Sequence, residues 1–269
     1  IVLERQSRHE EALVLLQKAI ADYLEKDNGD RNPFYGYLYL VAAYTCCKIQ
    51  VYDLMLHYTQ KGLAMCEDLN LVGSELYYNL YHNVGFYHIL EQNWGEAEKL
   101  YSSCIRDIEE RYGKENENYA IYMGQLVCIA LRQGKDVNFF NEIKCIKDEK
   151  LRKKVKVAFV NELNQVIANG QSISDIQKTY RKCVQNLDAE EDRQELERLD
   201  ILYLAAMAQI GQFETEFDFL VKKLSENYYN DFTGELGILY WESILLWEWS
   251  KGNTEAALKI WERILHDNP

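Results

Sequence analysis

A pattern that returns roughly every forty residues constrains this chain more than any other feature of its sequence. HEEALVLLQKAI supplies Ala12, Leu16 and Ala19, and YDLMLHYTQKGL supplies Met55, Thr59 and Gly62. WGEAEKLYSSCI supplies Ala97, Tyr101 and Cys104, and the stretch after Gly134 supplies Phe139, Ile143 and Ile146. Ile176, Tyr180 and Cys183 follow, then Glu216, Leu220 and Lys223 after Gly211 as the weakest match, then Ala257, Trp261 and Ile264 in GNTEAALKIWERILHDNP. The first members lie 43, 42, 42, 37, 40 and 41 residues apart. Within each set, steps of four and three place the three residues on one face of a helix. Self-similarity at such a period marks an array of small supersecondary units, none of which can bury its apolar face alone. Stacking on neighbours supplies the core and curves the array.

Between these segments lie further apolar helical stretches near 35–48, 74–91, 118–132, 151–168, 194–210 and 233–251. The expected fold is therefore all-α, an α-solenoid of about seven helix hairpins forming a curved superhelix. The hairpins fall at 1–26, 34–69, 74–112, 118–149, 151–187, 192–228 and 233–269. Only two prolines occur, Pro33 and Pro269, so the helices run almost uninterrupted. The connecting segments are short and polar, which leaves no internal linker at which to draw a domain boundary. The chain opens on Ile1 without Met, and IVLERQ reads as the end of a helix already under way. An upstream domain is accordingly expected outside this chain.

Charge narrows the partners. The 30 basic and 43 acidic residues leave a net charge of −13, which repels phosphate backbones and argues against nucleic-acid contact by this segment. One basic island interrupts the acidity: Lys144, Lys147, Lys150, Arg152, Lys153, Lys154 and Lys156. It reads as a solvated helix start, or as a contact for an acidic partner. Seven scattered cysteines, odd in number and without a CxxC pair, read as buried thiols in a reducing cytoplasm. No apolar run is long enough for a membrane span.

Catalytic signatures are absent from the sequence. HEEAL at His9 is not HExxH, and no P-loop, GxGxxG or GxSxG occurs. The expectation is a chain that is not an enzyme and uses neither cofactor nor metal.

Gly134, Gly211 and Gly252 stand at the turn inside a hairpin, and Ala12, Ala19, Ala97 and Ala257 stand where its helices cross. Together with the anchor spacing, this pattern resembles the tetratricopeptide (TPR) repeat. The resemblance implies that the first helix of each hairpin lines the concave side of the array. SELYYNLYHNVGFYHILEQNW then becomes the stretch of interest. Asn79, His82 and Asn83 lie at i, i+3 and i+4 on one helical face. In peptide-binding TPR proteins the places held by Asn79 and Asn83 face the groove, where an amide can donate to and accept from one peptide unit. Gln125 holds the matching place one repeat on, Asn161 lies nearby in the next, Tyr37 comes from the repeat before, and Arg198 offers a partner for a carboxylate. The competing reading is that these amides brace neighbouring helices.

Within this superfamily, the missing upstream part, the reduced cysteines, the asparagine pair and the acidic array resemble the cytosolic peptide-pheromone receptors of Gram-positive bacteria. YGKENENYA and the 42-residue step resemble instead the repeats of the kinesin light chains, which implies a static scaffold. The chaperone-tail carboxylate clamp lacks its lysines here. Either remaining resemblance implies a peptide or protein partner in the concave groove. At the C-terminus, Trp241, Trp247 and Trp249 crowd one helix and Trp261 the next. Trp261 is expected to be buried between the final helices, and a homodimer through the C-terminal repeats is the expected use of any indole left exposed.

Overall fold

The computed structural model describes residues 8–26, 32–135, 140–211 and 213–268. Thirteen helices run through these residues and no strand occurs among them. They are α1 (His9–Lys26), α2 (Pro33–Lys48), α3 (Tyr52–Asp68), α4 (Glu75–Leu90), α5 (Trp94–Tyr112), α6 (Glu117–Arg132), α7 (Phe140–Lys144), α8 (Glu149–Ala168), α9 (Ile173–Gln185), α10 (Arg193–Ile210), α11 (Glu214–Tyr228), α12 (Glu235–Ser250) and α13 (Thr254–Asp267).

Local chemistry explains where these helices start and stop. Asn32 caps α2 by accepting from Phe34 N–H at 3.0 Å, with Pro33 pre-set at the first helical position. Ser74 caps α4 and Ser172 caps α9 in the same manner. Several helix ends share one closing device. After α2, Gln50 N–H bonds Cys47 O and Val51 N–H bonds Cys46 O. The same pair of bonds closes α4 around Gln92, α6 around Gly134, α8 around Gly170 and α12 around Gly252. In each, the residue at the turn has a positive φ, 61° at Gln50 and 58° at Gln92. This is the Schellman ending, which favours glycine at that place. The two glutamines are the reason only part of the series shows in the sequence.

The chain divides into two compact units, residues 1–129 with 146–151, and residues 130–145 with 152–269. In the first, each of α1 to α5 packs on the next, and α2 also touches α4. Leu13, Ile20, Tyr35, Tyr39, Ala42, Cys46, Met55, Tyr58 and Met65 form one buried cluster, with Cys66, Leu76 and Leu80 beside α3 and α4. Close approach depends on glycine at two crossings: the Leu76 side chain sits on Gly36, and that of Leu80 on Gly62. In the second unit α9 to α13 pack in order, and α10 also touches α12. Within each unit, then, helices adjacent in the chain pack on one another.

Three details depart from the sequence reading. The second helix of the fourth hairpin ends at Lys144, before Ile146; Ile143 and Ile146 are buried, while Phe139 lies outside the described residues. Beyond α7, the Glu115 carboxylate accepts from the backbone N–H groups of Lys147 (2.6 Å) and Asp148 (2.8 Å), at the start of α8. In α11 the buried residues are Phe217, Leu220, Leu224 and Tyr228, so the anchor is Phe217 rather than Glu216. Lys223 is half exposed and brings its ammonium to the buried Asp200 carboxylate, 2.6 Å away.

The third correction concerns Trp261. Ala257 and Ile264 are buried as expected, but Trp261 is 47% exposed. Its counterpart in α5, Tyr101, is fully buried because the Tyr122 ring of α6 covers it at 5.2 Å. No described helix follows α13 to do the same. The cysteines divide too: Cys46, Cys66, Cys104 and Cys183 are buried, Cys47 and Cys128 are half-buried, and Cys145 is exposed.

Gly85 carries a testable packing constraint. A Cβ added there would lie 2.6 Å from Tyr101 Oη and 2.8 Å from Cε1, against a fully buried ring. Gly85→Ala is therefore expected to destabilise the protein by about 1–3 kcal/mol, as overpacking does. Gly95, with nothing within 4 Å of its added Cβ, should instead gain up to about 1 kcal/mol on the same change, through helix propensity. Urea denaturation of both variants checks the pair, and equal signs would contradict the crossing geometry.

Candidate functional site

Helix α4 holds the candidate residues, and its neighbours decide what each can do. The Tyr78 and His82 rings turn toward α5 and α6. Tyr78 Oη donates to Asp107 at 2.5 Å, and Arg111 Nε holds the same carboxylate at 2.7 Å. His82 lies between two tyrosines, stacked on Tyr122 at 5.9 Å between centroids and tilted against Tyr101 at 5.9 Å. Both tyrosines also donate into the backbone of α4, Tyr101 Oη to His82 O at 3.2 Å and Tyr122 Oη to Tyr78 O. These bonds fix the helix in rotation. Asn79 and Asn83 are one residue further round, half-buried and one turn apart.

No side-chain hydrogen bond joins Asn79 or Asn83 to any described residue. Asn83 Nδ2 is buried and unpartnered, and so is His82 Nδ1, although each residue keeps part of its surface accessible. Elsewhere the amides that do brace the fold are plainly bonded: Asn268 Nδ2 donates to Phe232 O (2.6 Å) and Ile264 O (2.9 Å), and Asn186 Nδ2 to Lys182 O (2.7 Å). A buried polar group without a partner is costly and calls for an explanation such as a ligand or water.

The site is neutral. Burial pushes the His82 pKa down to about 4, so its imidazole carries no charge near pH 7. Burial likewise raises the Tyr77, Tyr78, Tyr101 and Tyr122 hydroxyls, which stay protonated donors. Burial lifts the Cys104 thiol to about 12, which leaves it no nucleophile. Amides, hydroxyls and a neutral imidazole recognise uncharged polar groups such as peptide units.

Gln125 is half-buried on α6, one turn beyond Tyr122 and within the same unit as Asn79, His82 and Asn83. Tyr37, on α2 of that unit, is exposed. Asn161 on α8 and Arg198 on α10 are exposed and belong to the second unit. The structure thus brings together the α4 residues and the helix that bears Gln125. Tyr101 and Tyr122 form the wall behind His82; the sequence showed Tyr101 only as an anchor, and Tyr122 carries a signal only in its place one turn before Gln125. In the second unit a shallow polar cleft is lined by Arg193, Gln194, Glu197 and Asn227. Its groups satisfy one another, with Arg193 Nε and Asn227 Nδ2 each 2.9 Å from Glu197 Oε1, so it offers little to a ligand.

Among the described residues, no group of three His, Cys, Asp or Glu is placed to hold a metal ion. No described helix is long and apolar enough to cross a membrane. Comparison with protein-family models and with curated proteins finds no match for this chain.

Proposed function

We propose that the chain is a TPR-like α-solenoid of about seven hairpins that holds an extended peptide or partner segment against α4, as the peptide-sensing or protein-docking part of a larger cytoplasmic regulator. One observation carries the reading. Asn79 and Asn83 stand one turn apart on a helix pinned in rotation, and neither amide is used by the fold. Each can make two bonds to one peptide unit, and the tyrosines around them offer flat apolar contact. The neutrality of the site favours an internal backbone segment over a terminal carboxylate. No catalytic role is part of the proposal. A static scaffold of the kinesin-light-chain kind is the second reading, favoured by the 42-residue step.

The test selects heptapeptides from a random library on the wild-type chain and measures their affinity for Asn79→Ala and Asn83→Ala. Each loss of a buried hydrogen bond costs about 1–3 kcal/mol, which is roughly five- to hundred-fold in Kd. The melting temperature should stay nearly constant, because the amides hold nothing within the fold. A drop in melting temperature with unchanged affinity would show them to be braces and defeat the proposal.

A further inference from the structure

The uncharged character of the α4 site continues over two further helices of the same unit. A step of 42 residues, the spacing of the second and third sequence anchors, carries Asn79, Asn83 and Phe86 of α4 back to Tyr37, Val41 and Tyr44 of α2. The same step forward reaches Ile121, Gln125 and Cys128 of α6. All nine side chains are accessible at least in part, whereas Ala43, Gly85 and Val127, at another shared place, are all buried. None of the nine carries a charge, although 27% of the chain is charged.

The three helices are neighbours. α2 meets α4 where the Leu76 side chain sits on Gly36, and α6 meets α4 where the Tyr122 ring stacks on His82 at 5.9 Å. On α4, helical period places Asn79, Asn83 and Phe86 on the arc between Leu76 and His82. The three sets therefore form one band across α2, α4 and α6. Charges on these helices bound it: Glu75 and Glu117 stand one turn before the band, and Lys48 one turn after, with its ammonium 5.1 Å from the Tyr44 ring centroid. The α2 end of the band is aromatic, with Tyr37 50% and Tyr44 48% exposed and two turns apart. Its centre holds the two amides that the fold leaves unused.

We propose that the occupant of this band is an extended peptide segment of about six uncharged residues that sets a bulky apolar side chain on Tyr37 and Tyr44 while its backbone lies on Asn79 and Asn83, which rests on the role proposed above for the two amides. The length follows from packing: helices in contact lie about 8–10 Å apart, so the band spans roughly 16–20 Å, and an extended chain advances about 3.3 Å per residue. The side-chain class follows from desolvation. A charged group laid on the band would give up water and find no counter-charge within it. An aromatic or branched apolar group lies flat on the open phenol rings and removes their apolar faces from water.

Sequencing the heptapeptides that the full chain selects from a random library tests this. The binders should be depleted of aspartate, glutamate, lysine and arginine relative to the unselected pool, and should share a large apolar residue at one position. Tyr37→Ala and Tyr44→Ala should each weaken the tightest binder about five- to tenfold. The melting temperature should not change, because both rings are half exposed. Replacing the shared residue of the peptide by glycine should remove its dependence on Tyr37 and Tyr44 and keep its dependence on Asn83. Binders rich in charged residues, or an affinity that neither tyrosine variant lowers, would overturn the proposal, and the role of the amides would still stand if Asn83→Ala weakened binding. An affinity untouched by Asn79→Ala and Asn83→Ala, or the absence of any binder, would defeat both.

Discussion

Replacing Lys156 with methionine is expected to cost the second unit about 3–5 kcal/mol, the penalty for stranding a buried charge. Lys156 Nζ pairs with Asp192, and the two side chains are only 7% and 3% exposed. Asp192 also accepts from the backbone N–H of Asp188 at 2.8 Å, so one carboxylate joins α8 to the turn that opens α10. Without the lysine, the buried Asp192 carboxylate is left with a single neutral donor, the Asp188 N–H. The double variant Lys156→Met with Asp192→Asn should recover much of the loss, because neither remaining group carries a charge. Lys150→Ala, an exposed change in the same basic island, should stay within about 0.5 kcal/mol. Urea denaturation of the three variants decides the matter. A loss below about 1 kcal/mol for Lys156→Met would mean that water reaches the pair and screens it.

Acid should weaken the protein through His82 before its carboxylates finish titrating. Above pH 6.5 the imidazole is neutral both folded and unfolded, and stability does not depend on it. Below that value the unfolded chain takes up a proton that the fold refuses until about pH 4, because the ring is packed between Tyr101 and Tyr122 with its Nδ1 buried and unpartnered. Stability therefore falls as pH drops through this window. At 1.36 kcal/mol per pH unit the loss reaches roughly 3 kcal/mol by pH 4. Carboxylates held below their usual range, such as Asp107 beside Tyr78 and Arg111, lose their contribution only below this window, as pH falls under about 3.8. The comparison must then be with His82→Phe, which keeps a ring against Tyr122 but cannot titrate. The stability difference between wild type and His82→Phe should change by about 3 kcal/mol between pH 7 and pH 4. A difference that stays flat with pH would mean that the imidazole is solvated.

The same residue shows how far a linear reading reaches. The one-turn spacing of Asn79 and Asn83 is a property of the sequence, because helical period alone puts them on one face. Whether the amides are free or used is a property of the packing. It depends on Tyr101 and Tyr122, which lie 19 and 40 residues beyond His82 and donate into the backbone of α4. Asn161 and Arg198 looked like further members of one groove, yet they lie on a different compact unit from Asn79 and Asn83.

By itself the sequence determined the helices and the order in which they pair. Apolar periodicity, few prolines and small residues at fixed steps act locally, and they specify α-helix whatever lies beyond. The glycine turns were legible for the same reason, while Gln50 and Gln92 were not, since a left-handed glutamine leaves no mark in composition. Only tertiary structure decided burial. Trp261 and Tyr101 hold the same place in their helices, but among the described residues one is exposed and the other enclosed, because enclosure depends on a ring such as Tyr122 brought by another helix. Lys156 ends a run of lysines that reads as solvated, yet it is the one drawn inside to Asp192. Burial, and with it charge state and hydrogen-bond satisfaction, is set by neighbours distant in the chain, which no local pattern of residues encodes.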